Sequence, residues 1–562
     1  MNMNIVFDIE ANGLNELTLN KKSEPQKECT KVHCLVTKNI DTGERNVFTE
    51  SDMEHGIDLL CDANLLIGHN ISLYDVPVLS RLYRPIQTRQ LDTLIVSRLM
   101  YPDKSNNPMG GNSLACWGKQ LGVEKMDYQE GWDTLSDDMI KYCIRDVDVS
   151  ELVYKYQIPF IKKNSKPLKL EHVINSIIAK QIENGIGFNL NKASELELQL
   201  ASEKALIEDE LRNIFPPKIE IRHSDKTGKR LKDRITIFNP GSRQQIAERL
   251  TTKYSWLPPL TEKGNPKIDS DVLKKLKFPE AKALTRYFDL TKMQGQIVDW
   301  ITRSSNSRDG RIHGFVNPQG TVTGRMTASQ PNMQQVHSDP RVRSLFIPRD
   351  GWSQVGIDAS GLEARMLASR MAKYDDGKYA EIILNSDIHD YNMEMAGLVD
   401  RTIAKTFFYA FIYGAGDDKI TKITGHNGKK LKETFLSRMP ALKKVIDDVQ
   451  FQVAKKKTIT LLDGREVPCR KEHSALNVQL QGDGAIVMKL AQAILFVKTH
   501  KTKDLNFMAT VHDEWQLECH PDIAKDLGSM GVKSIISSGE RLGVRMPLDG
   551  EYKIGKNWSE TH

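Results

Sequence analysis

The feature that most constrains this chain is a set of three short segments in its second half, each of which places charged residues beside apolar ones. In chain order they read VGIDASGLEAR (355–365), RTIAKTFFYAFIYGAG (401–416) and ATVHDEWQLE (509–518). Asp358 follows an apolar run and precedes a helix-like stretch, which predicts a carboxylate at a strand end. Two alternating runs meet around Asp513, which predicts a hairpin with acids at its tip. The pattern therefore predicts two carboxylates presented by rigid elements.

The middle segment predicts a helix with a cationic end and an aromatic end. It contains no proline and stops at Gly-Ala-Gly, and four side chains recur at every fourth position: Arg401, Lys405, Tyr409 and Tyr413. Such side chains form a slanting stripe roughly 18 Å long. A nucleoside triphosphate has a matching polarity, because its phosphates are anionic and its base is flat. For this segment alone, an ordinary amphipathic helix with solvated cations and half-buried tyrosines is the alternative.

The two aspartates would serve one reaction if they lie together. Phosphoryl transfer needs two divalent cations roughly 3.5–4 Å apart, which activate the attacking oxygen and stabilise the leaving one. Hard cations of that kind bind oxygen ligands. Taken alone, Asp358 or Asp513 is more simply explained as an acid that faces water. Their combination with the striped helix favours an active site that polymerises nucleotides.

Together, the D-A-S-G-L-E, R-x-x-x-K-x-x-x-Y-x-x-x-Y-G and V-H-D-E motifs resemble those of the DNA polymerase I family (family A), in particular its phage branch of the T-seven type. The resemblance implies a right-hand polymerase with thumb, palm and fingers that copies a DNA template in phage-type replication. It also implies two Mg²⁺ ions per active site, with Mn²⁺ as a substitute. The implied partners are primer-template DNA and dNTPs, with a replisome helicase/primase and a single-strand binding protein as further candidates.

The resemblance further implies a role for individual residues. At the catalytic centre, the metal ligands would be Asp358, the Ala359 carbonyl and Asp513, with Glu514 in support and Lys405 at the triphosphate. The residues that bind the nucleotide would be His389, Arg401, Lys405, Tyr409, Tyr413 and, as a group that crowds a ribose 2′-hydroxyl beside Tyr409, Glu363. The residues that contact DNA would come from the T-G-R segment (320–336), the 473–485 helix and the hairpin: Arg325, Asn332, Gln334, His473, Asn477, Gln481 and His512.

A second group of acids lies near the N-terminus. Its members come from three elements: Asp8 and Glu10 on a predicted strand (4–14), Asp75 (69–79), and Tyr142 with Asp146 on a predicted helix (137–153). Residues at i and i+2 of a strand share a face, as do residues at i and i+4 of a helix. Each acid alone is more often exposed to solvent, but four carboxylates from three elements predict a two-metal nuclease centre.

These N-terminal motifs resemble the DEDDy class of 3′–5′ exonucleases. The resemblance implies an RNase H-like domain in which the four acids bind metal and Tyr142 orients the attacking water with Glu10. The predicted fold class is therefore α/β and α+β multidomain, with a proofreading exonuclease ahead of the polymerase. The predicted regions are an exonuclease domain (1–160), thumb and connecting helices (161–310), palm (311–386), fingers (387–470) and the second part of the palm (471–562).

Three segments outside the motifs also carry predictions. Residues 158–170 predict a polar link, and 194–215 predict a long amphipathic helix. Residues 218–238 predict a basic hairpin, for which phosphate binding and simple solvation are both compatible. The T-seven type inserts a much larger segment at this part of the thumb, through which it captures host thioredoxin. Because the connection here is short, thioredoxin is not expected as a partner.

Composition excludes several other classes of protein. The net charge of +6 is a modest excess, so any charge that binds DNA must be arranged locally. Seven cysteines in so long a chain indicate no disulfide framework, and Cys29 and Cys34 lack a second pair at zinc-ligand spacing. The chain has no run of about eighteen apolar residues and begins with a strand-like segment. We therefore expect no membrane and a cytoplasmic location, in the host cell if the protein is phage-encoded.

Two other functions are compatible with parts of the pattern. A single-subunit RNA polymerase shares the aspartates and the helix lysine, but Glu363 and the intact exonuclease motifs favour a DNA polymerase. A DNA-binding or replisome scaffold that has lost its chemistry is expected to lack at least one catalytic residue. Asp358, Lys405 and Asp513 are all present, which disfavours a scaffold.

Tyr409 stands where bacterial relatives of the family carry phenylalanine, and this difference generates a prediction. The wild-type protein should incorporate 2′,3′-dideoxynucleotides readily, whereas Tyr409→Phe should discriminate against them, because one hydroxyl at the predicted sugar contact is removed. Competition between dNTPs and dideoxynucleotides on a primed template measures the ratio for both proteins. Equal discrimination in the two proteins would contradict this role for Tyr409.

Overall fold

The computed structural model describes residues 3–14 and 29–562 of the 562-residue chain. The described residues form two compact units. The first contains residues from 1–187, 313–335 and 347–562, and the second contains 188–312 and 336–346. Both predicted sites lie in the first unit.

The N-terminal part of the first unit is built on a five-stranded sheet. Its elements are β1 (Asn4–Ala11), β2 (Val32–Asn39), β3 (Arg45–Thr49), α1 (Met53–Asp62), β4 (Leu65–Gly68), α2 (Asp75–Leu82), β5 (Gln90–Asp92), α3 (Thr93–Met100), α4 (Leu114–Leu121) and α5 (Asp137–Lys163). The strand order is β3-β2-β1-β4-β5, with β1 antiparallel to β2 and parallel to β4. α5 begins after Ser136, whose hydroxyl accepts the N–H of Met139 at 3.1 Å, and packs against β1 and β2.

The polar link predicted at 158–170 is wrong, because this segment is helical. α5 continues to Lys163, and α6 (Ser165–Asn184) follows after Asn164 alone. Pro167 lies in the first turn of α6, where a missing N–H leaves no hydrogen bond unmade. Pro167 and Leu168 are buried while the lysines around them are exposed. The composition that indicated a linker is therefore that of an amphipathic helix with a lysine-rich outer face.

The second unit is mainly helical. After β6 (Gly187–Phe188), the chain forms α7 (Leu190–Ile214), β7 (Lys218–His223), β8 (Arg230–Thr236), α8 (Arg243–Tyr254), α9 (Ser270–Leu273) and α10 (Pro279–Asn306). The long helix and the hairpin predicted for this region are both confirmed, as α7 and as β7 with β8. α7 packs along α10, and the aromatic rings of Phe215 and Phe238 lie in the core beside Leu284. The hairpin is exposed, including Ile219 and Ile235 on one face.

The remainder of the chain alternates short strands with helices. Its elements are β9 (Phe315–Asn317), β10 (Thr327–Ser329), α11 (Pro340–Arg343), β11 (Phe346–Ile347), β12 (Ser353–Ala359), α12 (Leu362–Asp375), α13 (Lys378–Asn385), α14 (Ile388–Ala396), α15 (Arg401–Ile412), α16 (Asp417–Thr424), α17 (Gly428–Arg438), α18 (Pro440–Lys456), β13 (Thr458–Thr460), β14 (Glu466–Pro468), α19 (Ala475–Thr499), β15 (Leu505–Val511), β16 (Glu514–Cys519), α20 (Ala524–Leu542) and β17 (Gly550–Gly555). The strand, helix and hairpin predicted from the three motifs are confirmed as β12, α15 and β15–β16.

Four of these strands form an antiparallel sheet in the order β15-β16-β12-β17, which α20 covers on one face. Glycines bring that helix close to the sheet. A Cβ at Gly528 would lie 2.2 Å from the ring of Tyr552, and one at Gly531 would lie 2.3 Å from Ile357. The sheet that carries Asp358 therefore packs directly against the backbone of α20 at these two glycines.

α19 is the central helix of this core. In the part of the chain that the structure describes, the segment Glu472–Thr499 is long and apolar enough to cross a membrane, by length and composition. Its most apolar window is 72% buried inside the protein, however, and α19 packs against α6, α18 and α20. Core packing therefore accounts for its composition.

Gly528→Ala should destabilise the first unit by about 1–3 kcal/mol, because the added methyl group overpacks against the Tyr552 ring. Gly295→Ala on α10 is the matched control, since nothing lies within 4 Å of a Cβ there. Alanine is favoured over glycine inside a helix by about 0.5–1 kcal/mol, so the control should be neutral or slightly stabilised. Urea unfolding followed by circular dichroism measures both, and wild-type stability of Gly528→Ala would contradict the close packing.

Candidate active sites

The C-terminal sheet brings the two predicted catalytic aspartates to one end. Asp358 is the penultimate residue of β12 and lies opposite Glu514 of β16. Asp513 lies in the two-residue turn between β15 and β16, whose first residue, His512, has a left-handed φ of 54°. The N–H of Ala359 donates to the Asp513 carbonyl at 3.1 Å. This hydrogen bond joins the hairpin tip to the end of β12 and so brings the two aspartates together.

The electrostatics of this strand end suit a cation. Burial raises the pKa of Asp358 to about 7, and the Glu514 and Asp513 carboxylates act in the same direction. Burial also raises the pKa of Asp513, against the opposing effect of the Arg325 guanidinium. Carboxylates crowded in a buried place repel one another unless positive charge lies between them. Because the donor atoms are all oxygens, Asp358, Asp513 and the Ala359 carbonyl fit a hard divalent ion such as Mg²⁺.

Glu514 is held by residues that the sequence did not indicate. Its carboxylate accepts the indole N–H of Trp558 at 2.8 Å, and the ring Nδ1 of His562 lies 2.8 Å from it. The side-chain amide of Gln516 donates to the same carboxylate. These contacts, with the burial of Glu514, favour a supporting role for it. No local spacing connects position 514 with the C-terminal residues, which meet it only through the return of β17.

Glu363, in the first turn of α12, holds two of the predicted substrate residues. Arg325 donates to one carboxylate oxygen at 3.0 Å, and the Tyr413 hydroxyl donates to the other. Tyr409 is the tyrosine predicted near Glu363, and the Glu363 charge, after burial, raises its pKa. The ring centre of Tyr409 lies 6.0 Å from that of His389 and 6.3 Å from that of Tyr413. The hydrogen bond to Glu363 comes from Tyr413, one helical turn later.

α15 presents the predicted stripe, but protein carboxylates engage its first cation. Arg401 pairs with Asp387 and, at 3.1 Å, with Asp390. Asp387 also caps α14, because it accepts the N–H of His389 at 2.7 Å. Lys405 is exposed one turn further along α15. Burial and the nearby Lys405 charge lower the pKa of His389, which keeps the imidazole neutral near neutral pH.

A glycine sets the aromatic end of the stripe. Tyr413 directly follows α15, and Gly414 has a φ of 75° that favours glycine. A Cβ at Gly414 would lie 2.5 Å from the carbonyl oxygen of His473. Because position 414 of the motif has no side chain, the end of α15 can approach the backbone just before α19.

The residues expected to contact DNA divide into two groups. Arg325, Gln334 and His512 line one small cavity together with Asp513. Asn332 has a structural contact instead, because its side chain accepts the N–H of Gln334 at 3.0 Å and shapes the loop that carries it.

The second group lies at the start of α19. Asn477 and Gln481 are half-buried one turn apart, and His473 is exposed just before the helix. Within the described ranges, Oδ1 of Asn477 is buried without a hydrogen-bond partner.

The N-terminal sheet assembles the second predicted cluster. Asp8 and Glu10 lie two residues apart on β1, and Asp75 at the start of α2 accepts the N–H of Ile9 between them at 3.2 Å. Asp146 on α5 lies close enough for its charge to raise the pKa of both Asp8 and Glu10. The four predicted carboxylates thus meet at one place.

The N-terminal cluster also contains more negative than positive charge. Burial raises the pKa of all four carboxyl groups, to about 9 for Glu10 and about 7 for Asp75. In the described part of the chain, Oδ1 of Asp146 is buried without a hydrogen-bond partner. An oxygen-rich, buried and mutually repelling set of carboxylates fits Mg²⁺ or Mn²⁺.

Lys125 supplies the cluster with one positive charge and was not predicted. Its ammonium lies 2.6 Å from Asp146 and 4.6 Å from the centre of the Tyr142 ring. Burial lowers the pKa of Lys125, but Asp146 outweighs burial and the pKa is raised. Lys125 lies in irregular structure between α4 and α5, so no periodicity relates it to the acids. The thiol of Cys143, which donates to the Asp8 carboxylate at 3.7 Å, was not predicted either, although it lies on α5 three residues before Asp146.

Two carboxylate clusters on separate sheets, one of them facing a cationic and aromatic helix, are typical of nucleotide polymerases that carry a nuclease domain. The family model for DNA polymerase family A matches residues 219–560. The chain therefore belongs to DNA polymerase family A, as its motifs predicted.

Individual relatives agree with this assignment. The chain is 30% identical to the DNA-directed DNA polymerase of Enterobacteria phage T3, over 99% of this chain and 100% of the relative. The same values hold for the polymerase of Escherichia phage T7. It is 25% identical to DNA polymerase I of Aquifex aeolicus (strain VF5), over 88% of each chain. Among solved structures, the POL domain of Pol1 from M. smegmatis in complex with DNA primer-template and dNTP matches with a TM-score of 0.79 and 18% identity, over 99% of this chain and 96% of that one. The predicted fold class is confirmed.

Lys125→Met should strengthen divalent-ion binding at the N-terminal cluster by about tenfold, because the ammonium that engages Asp146 is removed. An Mg²⁺ or Mn²⁺ titration followed by thermal shift measures the midpoint, in an Asp358→Ala, Asp513→Ala background that removes the C-terminal cluster. Lys119→Met, at an exposed lysine on α4, should titrate like its parent. An unchanged midpoint for Lys125→Met would show that Lys125 does not compete with a cation.

Proposed function

We propose that this family A DNA polymerase extends a primer 3′ end with dNTPs on a DNA template and removes mismatched ends by 3′–5′ hydrolysis. The observation that carries the proposal is the presence of two carboxylate clusters on different sheets, around Asp358 and Asp513 and around Asp8 and Glu10. Both reactions transfer a phosphoryl group, one to a primer hydroxyl and the other to water. Separate clusters allow the two to be controlled independently.

In the palm, Asp358, Asp513 and the Ala359 carbonyl would hold two Mg²⁺ ions, for which Mn²⁺ can substitute. Bound ions of this kind activate the primer 3′-hydroxyl and neutralise charge on the departing pyrophosphate. Arg401 and Lys405 add positive charge along the triphosphate, and Arg401 must first leave its acidic partners to do so.

Sugar and base selection fall to the aromatic end of α15. The Glu363 carboxylate, held between Arg325 and the Tyr413 hydroxyl, occupies the space beside a ribose 2′-hydroxyl and so favours deoxynucleotides. Tyr409 and Tyr413 then flank the sugar and the base. Equal extension with ribonucleotides would instead favour the RNA polymerase alternative.

At the N-terminal cluster, Asp8, Glu10, Asp75 and Asp146 would hold the metal ions of the exonuclease. Tyr142 and Glu10 orient the attacking water. Lys125 pairs with Asp146 at 2.6 Å and opposes the burial that raises the pKa of that carboxyl group.

Primer-template DNA and dNTPs are the proposed substrates. The M. smegmatis relative was captured with both, and its fold matches 99% of this chain. Arg325, Gln334 and His512 would face the primer end, and Asn477 and Gln481 the duplex. The proposed setting is replication in a phage-infected cell, where a helicase/primase and a single-strand binding protein are the further candidate partners.

A primed-template reaction with Mg²⁺, with and without dNTPs, tests both activities in the same protein. Extension with dNTPs and shortening of the primer without them are expected. Asp8→Ala with Glu10→Ala should abolish degradation of single strands and leave extension intact, because the two clusters lie on different sheets. Asp358→Ala should have the opposite effect. Loss of both activities in either variant would contradict separate sites.

We also propose that this polymerase works without thioredoxin. The alignment with the phage T3 relative runs over 723 residues, more than the 562 of this chain, so the relative contains segments without a counterpart here. Between α7 and α8 this chain has only the hairpin β7–β8. Reduced thioredoxin should therefore leave product length unchanged on primed single-stranded DNA. A large increase in length would refute the proposal.

A further inference from the structure

A fully buried ionic network lies behind the polymerase site. The carboxylate of Glu171, on α6, accepts four hydrogen bonds: two from Lys489 at 2.8 Å each, one from Arg465 at 2.7 Å and one from Gln319 at 2.7 Å. Asp463 pairs with the other side of Arg465 at 2.7 Å. Two acids and two bases thus balance one another, and their side chains are at most 7% exposed.

The carboxylate of Glu171 is charged at neutral pH. Burial alone would raise the pKa of Glu171, but Lys489 and Arg465 outweigh it and lower that pKa to about 2. Burial lowers the pKa of Lys489, and the pKa of Arg465 is raised by Glu171 and Asp463 against the effect of burial. A buried ion pair of this kind contributes little net stability, because desolvation offsets the attraction between the charges. The network therefore adds little to the free energy of unfolding, and its importance lies in which residues it holds in place.

The partners of Glu171 hold both ends of the loop that leads to Arg325. Gln319 directly precedes that loop, and Gly324, at its far end, lies against Arg465: a Cβ on Gly324 would be 3.5 Å from the guanidinium. The loop itself is tight, because the N–H of Thr321 donates to the Arg325 carbonyl at 3.2 Å.

Arg325 faces the reaction centre. It pairs with Glu363 at 3.0 Å and opposes the pKa rise of Asp513. Lys489 lines the same small cavity as Arg325, His512 and Asp513.

We propose that Glu171 is a positioning residue for DNA synthesis: from the helix that follows the N-terminal domain, it orients the 319–325 loop so that Arg325 meets the primer end beside Asp513. The proposal rests on the role proposed for Arg325 and adds a residue that no motif contains. It acts through Arg325 and does not touch the substrate. Misplacement of such a group by about 1 Å costs up to about a hundredfold in rate.

A double-mutant cycle tests this coupling. Glu171→Gln keeps the shape and removes the charge, and Arg325→Ala removes the group that is positioned. Each should lower kcat for extension of a matched primer by about tenfold or more, with a smaller change in the KM for dNTP. The double variant should be no slower than Arg325→Ala alone, because Glu171 then has nothing to orient. Glu183→Gln, at an exposed glutamate on the same helix, should extend like wild type.

The outcomes are distinguishable. If Arg325→Ala extends normally, the role proposed for Arg325 fails and the inference fails with it. If Arg325→Ala is slow but Glu171→Gln is normal, or if the two losses multiply in the double variant, only the role of Glu171 is overturned.

A second variant separates positioning from folding. Glu171→Met with Lys489→Met removes one negative and one positive charge together and leaves Arg465 paired with Asp463. Its thermal midpoint should lie close to that of the wild type, and its degradation of single strands should be unaffected. Extension should remain slow, because Gln319 and Arg465 have lost their common acceptor. Wild-type extension by this folded variant would overturn the inference.

Discussion

Buried negative charge is the constraint on which the rest of this protein depends. Moving one carboxylate out of water costs several kcal/mol unless a counter-charge meets it. In the described part of the chain, carboxylates are buried around Asp358, around Asp8 and around Glu171, among other places. Around Asp358 and around Asp8 the acids outnumber nearby bases, and their raised pKa values record the imbalance. Around Glu171 the charges balance and the pKa falls. The first two places, which have excess negative charge, can therefore bind cations. The third already has its counter-charges.

Much of the candidate sites was predictable because the relevant signals are local. Asp8 and Glu10 share a strand face through a period of two, and Arg401 to Tyr413 share a helix face through steps of four. Asp358 and Asp513 sit where apolar runs stop, so strand ends and a hairpin tip could be read directly. The structure contains these arrangements because secondary-structure propensity, burial pattern and turn chemistry agree at each position.

What the sequence left out consists of contacts between distant segments. Lys125 reaches Asp146 from irregular structure, and Trp558 reaches Glu514 across the return of the C-terminal strand. Neither pair has a spacing that identifies it, since only the packed fold makes the members neighbours. The prediction for 158–170 was wrong for a different reason. Its exposed lysines indicated a linker, whereas Pro167 and Leu168 between them are buried and continue the core. Local composition describes one face of such a helix and says nothing of the other.

The pairing of Arg401 with Asp387 and Asp390 has a consequence for how the enzyme would use nucleotides. In its proposed role, Arg401 must release these partners each time a triphosphate binds. The free energy of that release is the same for all four bases, so it weakens every nucleotide equally and leaves the ratios between them unchanged. In that role the pair would raise the dNTP concentration needed for synthesis by a small factor, because both partners are exposed, and it would leave selection among the bases to other residues of the site.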